Sequence, residues 1–274
     1  MYKKLLESKR LSVLIPVYNE MNIAKNIHTL IEEAERHFDQ YEIIIVSDGS
    51  NEETVQRLKK CKFKNVDVYH YPENKGKGFA LKFAFSKSIG DFVVFLDGGM
   101  ELHPADIKRF FAMMAVYNAD IIIGSKRHPL SNVDYPWYRR ILSYSYQLFL
   151  RTLFKLKGVK DTQVGLKLFK REVLEKVFPY IQVNGYAFDI AILVFAHFFG
   201  FTRIMEAPVE LQFHKGEKGH GLIKEFGRLF KVSRQMFFDT FRIYFQLKAI
   251  RKGKASKINI SRKLQLPVGS TQIL

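Results

Sequence analysis

The sequence predicts an α/β protein with a mostly parallel sheet and helices on both of its faces. Short apolar runs alternate with amphipathic helical stretches through the first half. The runs are nearly continuous in Val, Ile and Phe, as expected of strands buried on both sides. Each run gives way to polar, charged or Gly-rich residues, where open sheets of this kind bind ligands.

Leu11–Pro16 is the first run. In Asn22–Phe38, Ile23, Ile27, Leu30, Ile31, Ala34 and Phe38 recur at helical spacing and define one apolar face. Glu42–Val46 is β-branched and reads as a buried strand, Glu52–Cys61 as a short helix, and Val66–Tyr71 as a third strand. Lys77–Ser88 is a helix and Phe92–Leu96 a fourth strand. Pro104 suits the first position of a helix that presents Ile107, Phe110, Phe111 and Met114 on one face. Asp120–Ile123 closes this pattern. The second half is less regular. It gives helices at Trp137–Phe154, Arg171–Phe178 and Ala187–Phe199, with strands at Leu166–Phe169 and Arg203–Leu211. A Lys-, His- and Gly-rich loop, His214–Gly221, precedes a long amphipathic helix or helix pair over Leu222–Leu247. The basic tail beyond Lys248 reads as mobile.

Composition narrows the function classes. The 274 residues are 47% apolar, enough for a packed core and unlike a disordered chain. Cys61 is the one cysteine, so no internal disulfide and no cysteine-cluster zinc site can form. Met1–Arg10 is charged and lacks the apolar core of a secretory signal. The apolar-rich runs Val177–Phe188 and Ile190–Thr202 are too short to cross a bilayer. Lys and Arg number 44 against 27 Asp and Glu, a net +17, which implies an anionic partner. Between Leu222 and Lys263 twelve Lys/Arg face only Glu225 and Asp239, so +10 of the +17 lies there. No nucleic-acid recognition motif accompanies that charge, and no nucleic-acid partner is expected.

The strand ends read Ile15-Pro16-Val17-Tyr18-Asn19-Glu20, Val46-Ser47-Asp48-Gly49-Ser50, Asn74-Lys75-Gly76-Lys77-Gly78, Phe95-Leu96-Asp97, Gly124-Ser125-Lys126-Arg127 and Asp161-Thr162-Gln163-Val164-Gly165-Leu166-Lys167. As an ordered set, from about Leu11 to Gly221, they resemble the family-two glycosyltransferases of GT-A fold. Within these the set is similar to enzymes that move a sugar from a nucleotide onto a dolichyl or polyprenyl phosphate, the glucosyltransferase type more than the mannosyltransferase type. The resemblance implies a GT-A catalytic domain over residues 1–221, followed by a basic amphipathic membrane-associating segment over 222–274.

It also implies roles. Pro16, Tyr18, Glu20, Asp48, Lys75, Lys77, Asp97 and Gly98 would bind the nucleotide. Carboxylates such as Glu20 and Asp48 accept hydrogen bonds from ribose hydroxyls and base N–H groups, though both also suit helix capping. The family usually carries two adjacent aspartates where this chain has Ser47-Asp48. Lys77, beside Gly76 and Gly78 at a helix start, suits an anion; an ordinary Gly turn with solvated lysines fits the same pattern. Asp97 is the first acid of an Asp-x-Asp motif that holds a divalent metal, Mg²⁺ or Mn²⁺, against the diphosphate. Here the motif reads Asp97-Gly98-Gly99, and Glu101 offers the second metal carboxylate. The acceptor phosphate would be held by Ser125, Arg127, Arg139, Arg140 and Ser143, because arginine grips phosphate through two parallel N–H bonds. Asp97, Asp161, Arg127 and Arg140 form the expected catalytic set. Asp189 sits where relatives place acids near the acceptor, and equally suits a helix start. His214, Lys215 and Lys218 would lie on a loop closing over the diphosphate.

The C-terminal helix interleaves Phe226, Phe230, Phe237, Phe238, Phe241 and Phe245 with Lys224, Arg228, Lys231, Arg234 and Arg242. Such a helix fits an interfacial anchor on an anionic membrane, alone or with a membrane-protein partner; docking onto the protein's own core is the competing reading. The expected setting is the cytoplasmic face of a membrane, bound peripherally. The competing functions are a family-two transferase with a soluble or glycan acceptor, and a non-catalytic nucleotide-sugar binder with a degenerate metal motif.

Overall fold

The computed structural model describes residues 8–131, 137–154, 156, 159–210, 222–253 and 271–273, and within these not the side chains of 137–143, 145 and 222–231. In chain order the elements are β1 (Leu11–Val17), α1 (Ile23–His37), β2 (Tyr41–Asp48), α2 (Glu52–Lys59), β3 (Val66–Tyr71), α3 (Lys77–Lys87), β4 (Phe92–Phe95), α4 (Asp106–Tyr117) and β5 (Ile121–Ser125). They continue with α5 (Trp137–Phe154), β6 (Lys167–Lys170), α6 (Arg171–Val177), a 3₁₀ turn (Phe178–Tyr180), α7 (Phe188–Phe198), β7 (Ile204–Pro208), α8 (Leu222–Arg251) and β8 (Thr271–Gln272).

The strand order is β7-β5-β6-β4-β1-β2-β3-β8. Strands β4, β1, β2 and β3 pair in parallel, as the nearly continuous apolar character of β1, β2 and β4 predicts. β6 enters antiparallel between β4 and β5, so that Val94 and Ile122 both pair with Leu168. Apolar residues of alternating strand positions feed two cores, one on each face. Val13, Ile15, Ile43, Ile45 and Val94 pack with α1 and α4; Leu14, Ile44, Val46, Val93 and Phe95 pack with α3 and α7.

Three expectations are adjusted. Pro104 precedes α4 in a turn, its carbonyl accepting from Ile107 N, and the helix starts at Asp106. The last long strand is shorter than expected, Ile204–Pro208. In the tail, which the sequence reads as mobile, Thr271 and Gln272 pair antiparallel with His70 and Tyr69 of β3, and Ile273 N donates to Val68 O. The C-terminal helix α8 is partly a core helix, with Thr240, Ile243 and Leu247 buried and Tyr146 of α5 hydrogen-bonded to Thr240 at 2.8 Å. Its Phe238 and Phe245 are 62% and 60% exposed, so the helix also keeps an apolar face outside the core.

Candidate active site

A cleft of about 490 Å³ opens at the carboxyl ends of β1, β2 and β4. Pro16, Tyr18, Glu20, Asp48, Lys77, Asp97 and Gly98 of the expected nucleotide set line it, together with Asn74, Gly99, Gly185, Tyr186 and Gln235. The loops after these strands are cross-tied. Asn19, in left-handed backbone (φ 52°), accepts from Asn51 N on its Oδ1 and donates its own N–H to Ser50 Oγ. Asn tolerates that conformation better than most residues. Glu20 Oε1 accepts from Asn22 N just before α1, which has no side-chain cap, and the residue lines the cleft.

Asp48 is only 3% exposed. One oxygen accepts from Lys75 N at 2.7 Å and the other from Gly76 N at 2.9 Å. It therefore shapes the Gly-rich loop as well as lining the cleft. Gly76 is required there by its backbone (φ 91°). Lys75 does not line this cleft. Its Nζ lies 5.4 Å from the Phe79 ring, and the residue lines a neighbouring polar hollow with Asp239 and Arg242.

At the floor, Lys77 Nζ lies 2.7 Å from Asp97 Oδ1 and 3.4 Å from Asp189 Oδ2. Asp189 Oδ1 in turn lies 2.5 Å from Nζ of Lys167, which is fully buried and also donates to Val164 O. Burial opposes the charge on Lys77, but Asp189 and Asp97 together hold its ammonium well above the usual lysine range. Burial drives Lys167 the other way, below that range, in spite of Asp189. Asp189 is held below the usual carboxylate range against its burial by Lys167 and Lys77. Gly165 makes room for this cluster, because a Cβ there would lie 1.9 Å from Asp97 Oδ2.

These donors do not fit a divalent ion as they stand. Position 99 has no carboxylate, Asp97 is already paired with an ammonium, and the recess of about 50 Å³ that Asp97 shares with Glu101 is lined by the cationic Lys126 as well. Among the described residues no three His, Cys, Asp or Glu side chains are gathered where they could share an ion.

The expected acceptor residues are not all brought to the cleft. Ser125 is fully buried in β5, its Oγ accepting from Arg127 N, and cannot reach an external phosphate. Arg127 is half-buried, with its guanidinium 5.5 Å from the ring of exposed Tyr144. Asp161 is buried and lines no part of the cleft; its two oxygens accept from Lys126 N and Gln163 N, which fixes the loop after β5. Arg139, Arg140 and Ser143 lie in α5 with their side chains outside the described residues, and His214, Lys215 and Lys218 lie wholly outside them.

Sequence reasoning placed Gly165 and Lys167 in the Asp161–Lys167 motif without a role, and missed Tyr186 and Gln235 as parts of the site. Lys167 carried a signal, a lone charge between Leu166 and Leu168 in a buried strand. Gln235 carried none, since only the docking of α8 brings it over the cleft. Gly185 and Tyr186 arrive through the segment tied to α3 by Gly78 N donating to Asn184 O and Lys82 Nζ donating to Asn184 Oδ1.

An open sheet with its cleft at the carboxyl strand ends, lined by acids and a lysine, places the site where proteins of this architecture bind ligands. The family model described as Glycosyl transferase family 2 matches residues 12–178, and the chain belongs to that family. It is 30% identical over 213 residues to a dolichyl-phosphate beta-glucosyltransferase of Dictyostelium discoideum, covering 71% of this chain and 64% of that protein. It is 31% identical over 245 residues to the dolichyl-phosphate beta-glucosyltransferase ALG5A of Trichomonas vaginalis, covering 81% and 72%. The chain thus spans less than two thirds of the Dictyostelium protein's length. The GT-A fold is shared with glucosyl-3-phosphoglycerate synthase of Mycobacterium tuberculosis, crystallised with Mn²⁺, uridine-diphosphate and phosphoglyceric acid. The TM-score is 0.66 at 19% identity, over 89% of this chain and 82% of that one.

Proposed function

We propose that this chain is an inverting hexosyltransferase that moves a sugar from a nucleotide sugar, of UDP-glucose or GDP-mannose type, to a dolichyl or polyprenyl phosphate. The observation that carries it is the cleft in which Pro16, Tyr18, Glu20, Asp48, Lys77, Asp97 and Gly98 meet, in a chain whose similar relatives are dolichyl-phosphate beta-glucosyltransferases. A phosphate monoester is already ionised at neutral pH, so its oxygen attacks the anomeric carbon without a strong general base. The work left to the protein is alignment and charge placement. Arg127 and the arginines of α5 orient the acceptor phosphate. Asp97 keeps Lys77 at the cleft wall, and Asp161 holds the Lys126-Arg127 loop in place. The ion found with the solved synthase is not carried into this sequence of events, because the donors here are paired among themselves.

The acceptor places the enzyme at a membrane. Among the described residues no helix is long and apolar enough to cross one. The segment from Leu222 instead presents exposed Phe238 and Phe245 beside Arg242, Lys248 and Arg251, which suits peripheral binding to an anionic, cytoplasmic leaflet. A soluble acceptor is the second reading, favoured by the phosphoglyceric acid bound in the solved synthase. Incubation with a panel of nucleotide sugars and a short polyprenyl phosphate, read by mass spectrometry, tests the first. Glycosylated lipid phosphate is the expected product. Transfer to phosphoglyceric acid in its place would select the second.

A further inference from the structure

Release of a nucleoside diphosphate adds negative charge to the leaving group, and a cation must meet it. This chain has a cation built into the cleft. Lys77 extends from the first turn of α3, and its ammonium is held between Asp97 and Asp189. The second oxygen of Asp189 is taken by Lys167 from β6. Two ammonium groups and two carboxylates therefore form a cluster without net charge, fixed on one side by a fully buried lysine. An ammonium has three donors. Two are used on the carboxylates, which leaves one for the cleft.

Position 99 explains why this cation can stay. A Cβ at Gly99 would lie 3.2 Å from Glu20 Oε2, so an aspartate there would bring a further acid against Glu20. Such a group of like charges demands a divalent ion. With glycine at 99 the remaining acids are balanced from within.

We propose that Lys77 is the cation that takes up the leaving diphosphate in this chain, in the place a divalent ion occupies where the motif has two acids. The proposal rests on the transferase reading above. In the step, an oxygen of the acceptor phosphate gives an electron pair to the anomeric carbon. The bond from that carbon to the diphosphate oxygen breaks, and its pair stays on the diphosphate, which gains one negative charge. Lys77 donates its third N–H to that oxygen and keeps its proton throughout.

The test is calorimetric titration with UDP and with GDP, each in EDTA and in Mn²⁺. The wild-type protein is expected to bind the preferred nucleotide in EDTA within about threefold of its affinity in Mn²⁺. Lys77→Met should bind at least about tenfold more weakly in EDTA, and Lys77→Arg should recover most of the loss. A lysine that only supports the fold would not give that recovery together with unchanged melting. If Lys77→Met fails to fold because Asp97 and Asp189 lose their counter-ion, Lys77→Met/Asp97→Asn restores the charge balance and should show the same loss relative to Asp97→Asn. Nucleotide binding that needs Mn²⁺ in the wild type, or undiminished binding by a folded variant lacking Lys77, overturns the proposal and leaves the transferase reading standing. No binding of either nucleotide in either buffer overturns that reading, and the proposal with it.

Discussion

Asp97 and Gly165 depend on each other. The carboxylate fits only because residue 165 has no side chain, since a Cβ would sit 1.9 Å from Asp97 Oδ2. Gly165→Ala should therefore push Asp97 away from Lys77 while leaving the sheet intact. A displacement of about 1 Å costs on the order of a hundredfold in rate, and the measurement is kcat/KM alongside thermal melting. Asp97→Ala removes the anchor of Lys77 and should abolish transfer; a folded variant with full activity would show that the chemistry happens elsewhere. Arg127→Ala should raise KM for the lipid phosphate far more than for the nucleotide sugar. Losing a charge-assisted contact costs about 1.5–3 kcal/mol, or roughly tenfold to a hundredfold, and equal effects on both substrates would move Arg127 away from the acceptor. The residue-level signals differ in kind. Asp97 and Lys77 were legible as site residues because they follow a strand and open a helix, but their pairing was not. It is made by side chains that the chain separates by the whole of α3 and β4, and no local pattern encodes that distance.

At the scale of elements, the strands were the most legible part, since Glu42–Val46, Phe92–Phe95 and Ile121–Ile123 are apolar on both faces. β6 was seen, but its place between β4 and β5 was not, because a short strand's partners are fixed by tertiary packing. Its end is fastened by charge. Arg203 meets Asp120 through Nη2 at 2.6 Å and Nε at 3.2 Å, and Lys170 of β6 meets the same carboxylate at 3.1 Å. Burial would raise the Asp120 carboxyl, but Arg203 and Lys170 hold it below the usual carboxylate range. The native state therefore releases this proton more readily than the unfolded chain. Its contribution to stability is complete above the unfolded value of about 4 and fades as pH falls through the lower native value. Asp120→Asn should lower the melting temperature at pH 7, with the gap to wild type narrowing in acid; a gap that widens there would refute the assignment. In α8, helical spacing identified the apolar positions but could not divide them between core and surface, and packing against α5 and α7 does. Phe238→Ser/Phe245→Ser should leave the melting temperature unchanged and weaken binding to anionic vesicles. Half-burying two phenylalanines contributes about 2 kcal/mol, so the expected loss in a flotation assay is roughly thirtyfold.

For the molecule as a whole, +10 of the net +17 lies between Leu222 and Lys263, so vesicle binding should fall as salt rises. Flotation at 50 mM and 500 mM NaCl checks this, and salt-independent binding would assign the anchor to apolar contact alone. The cleft and the exposed phenylalanines share α8, since Gln235 lines the first and Phe238 lies three residues on. The antiparallel entry of β6 has another result, in time rather than space. Its register joins Phe95 to Lys167 and Ile121 to Phe169, contacts far apart along the chain. Loop-closure entropy delays such contacts, whereas the β1–β2 and β2–β3 pairings close shorter loops. A nascent chain that has laid down its first parallel strands still lacks Gly165 and Lys167 beside Asp97. The cluster that floors the cleft is then closed only after the parallel strands beside it have formed.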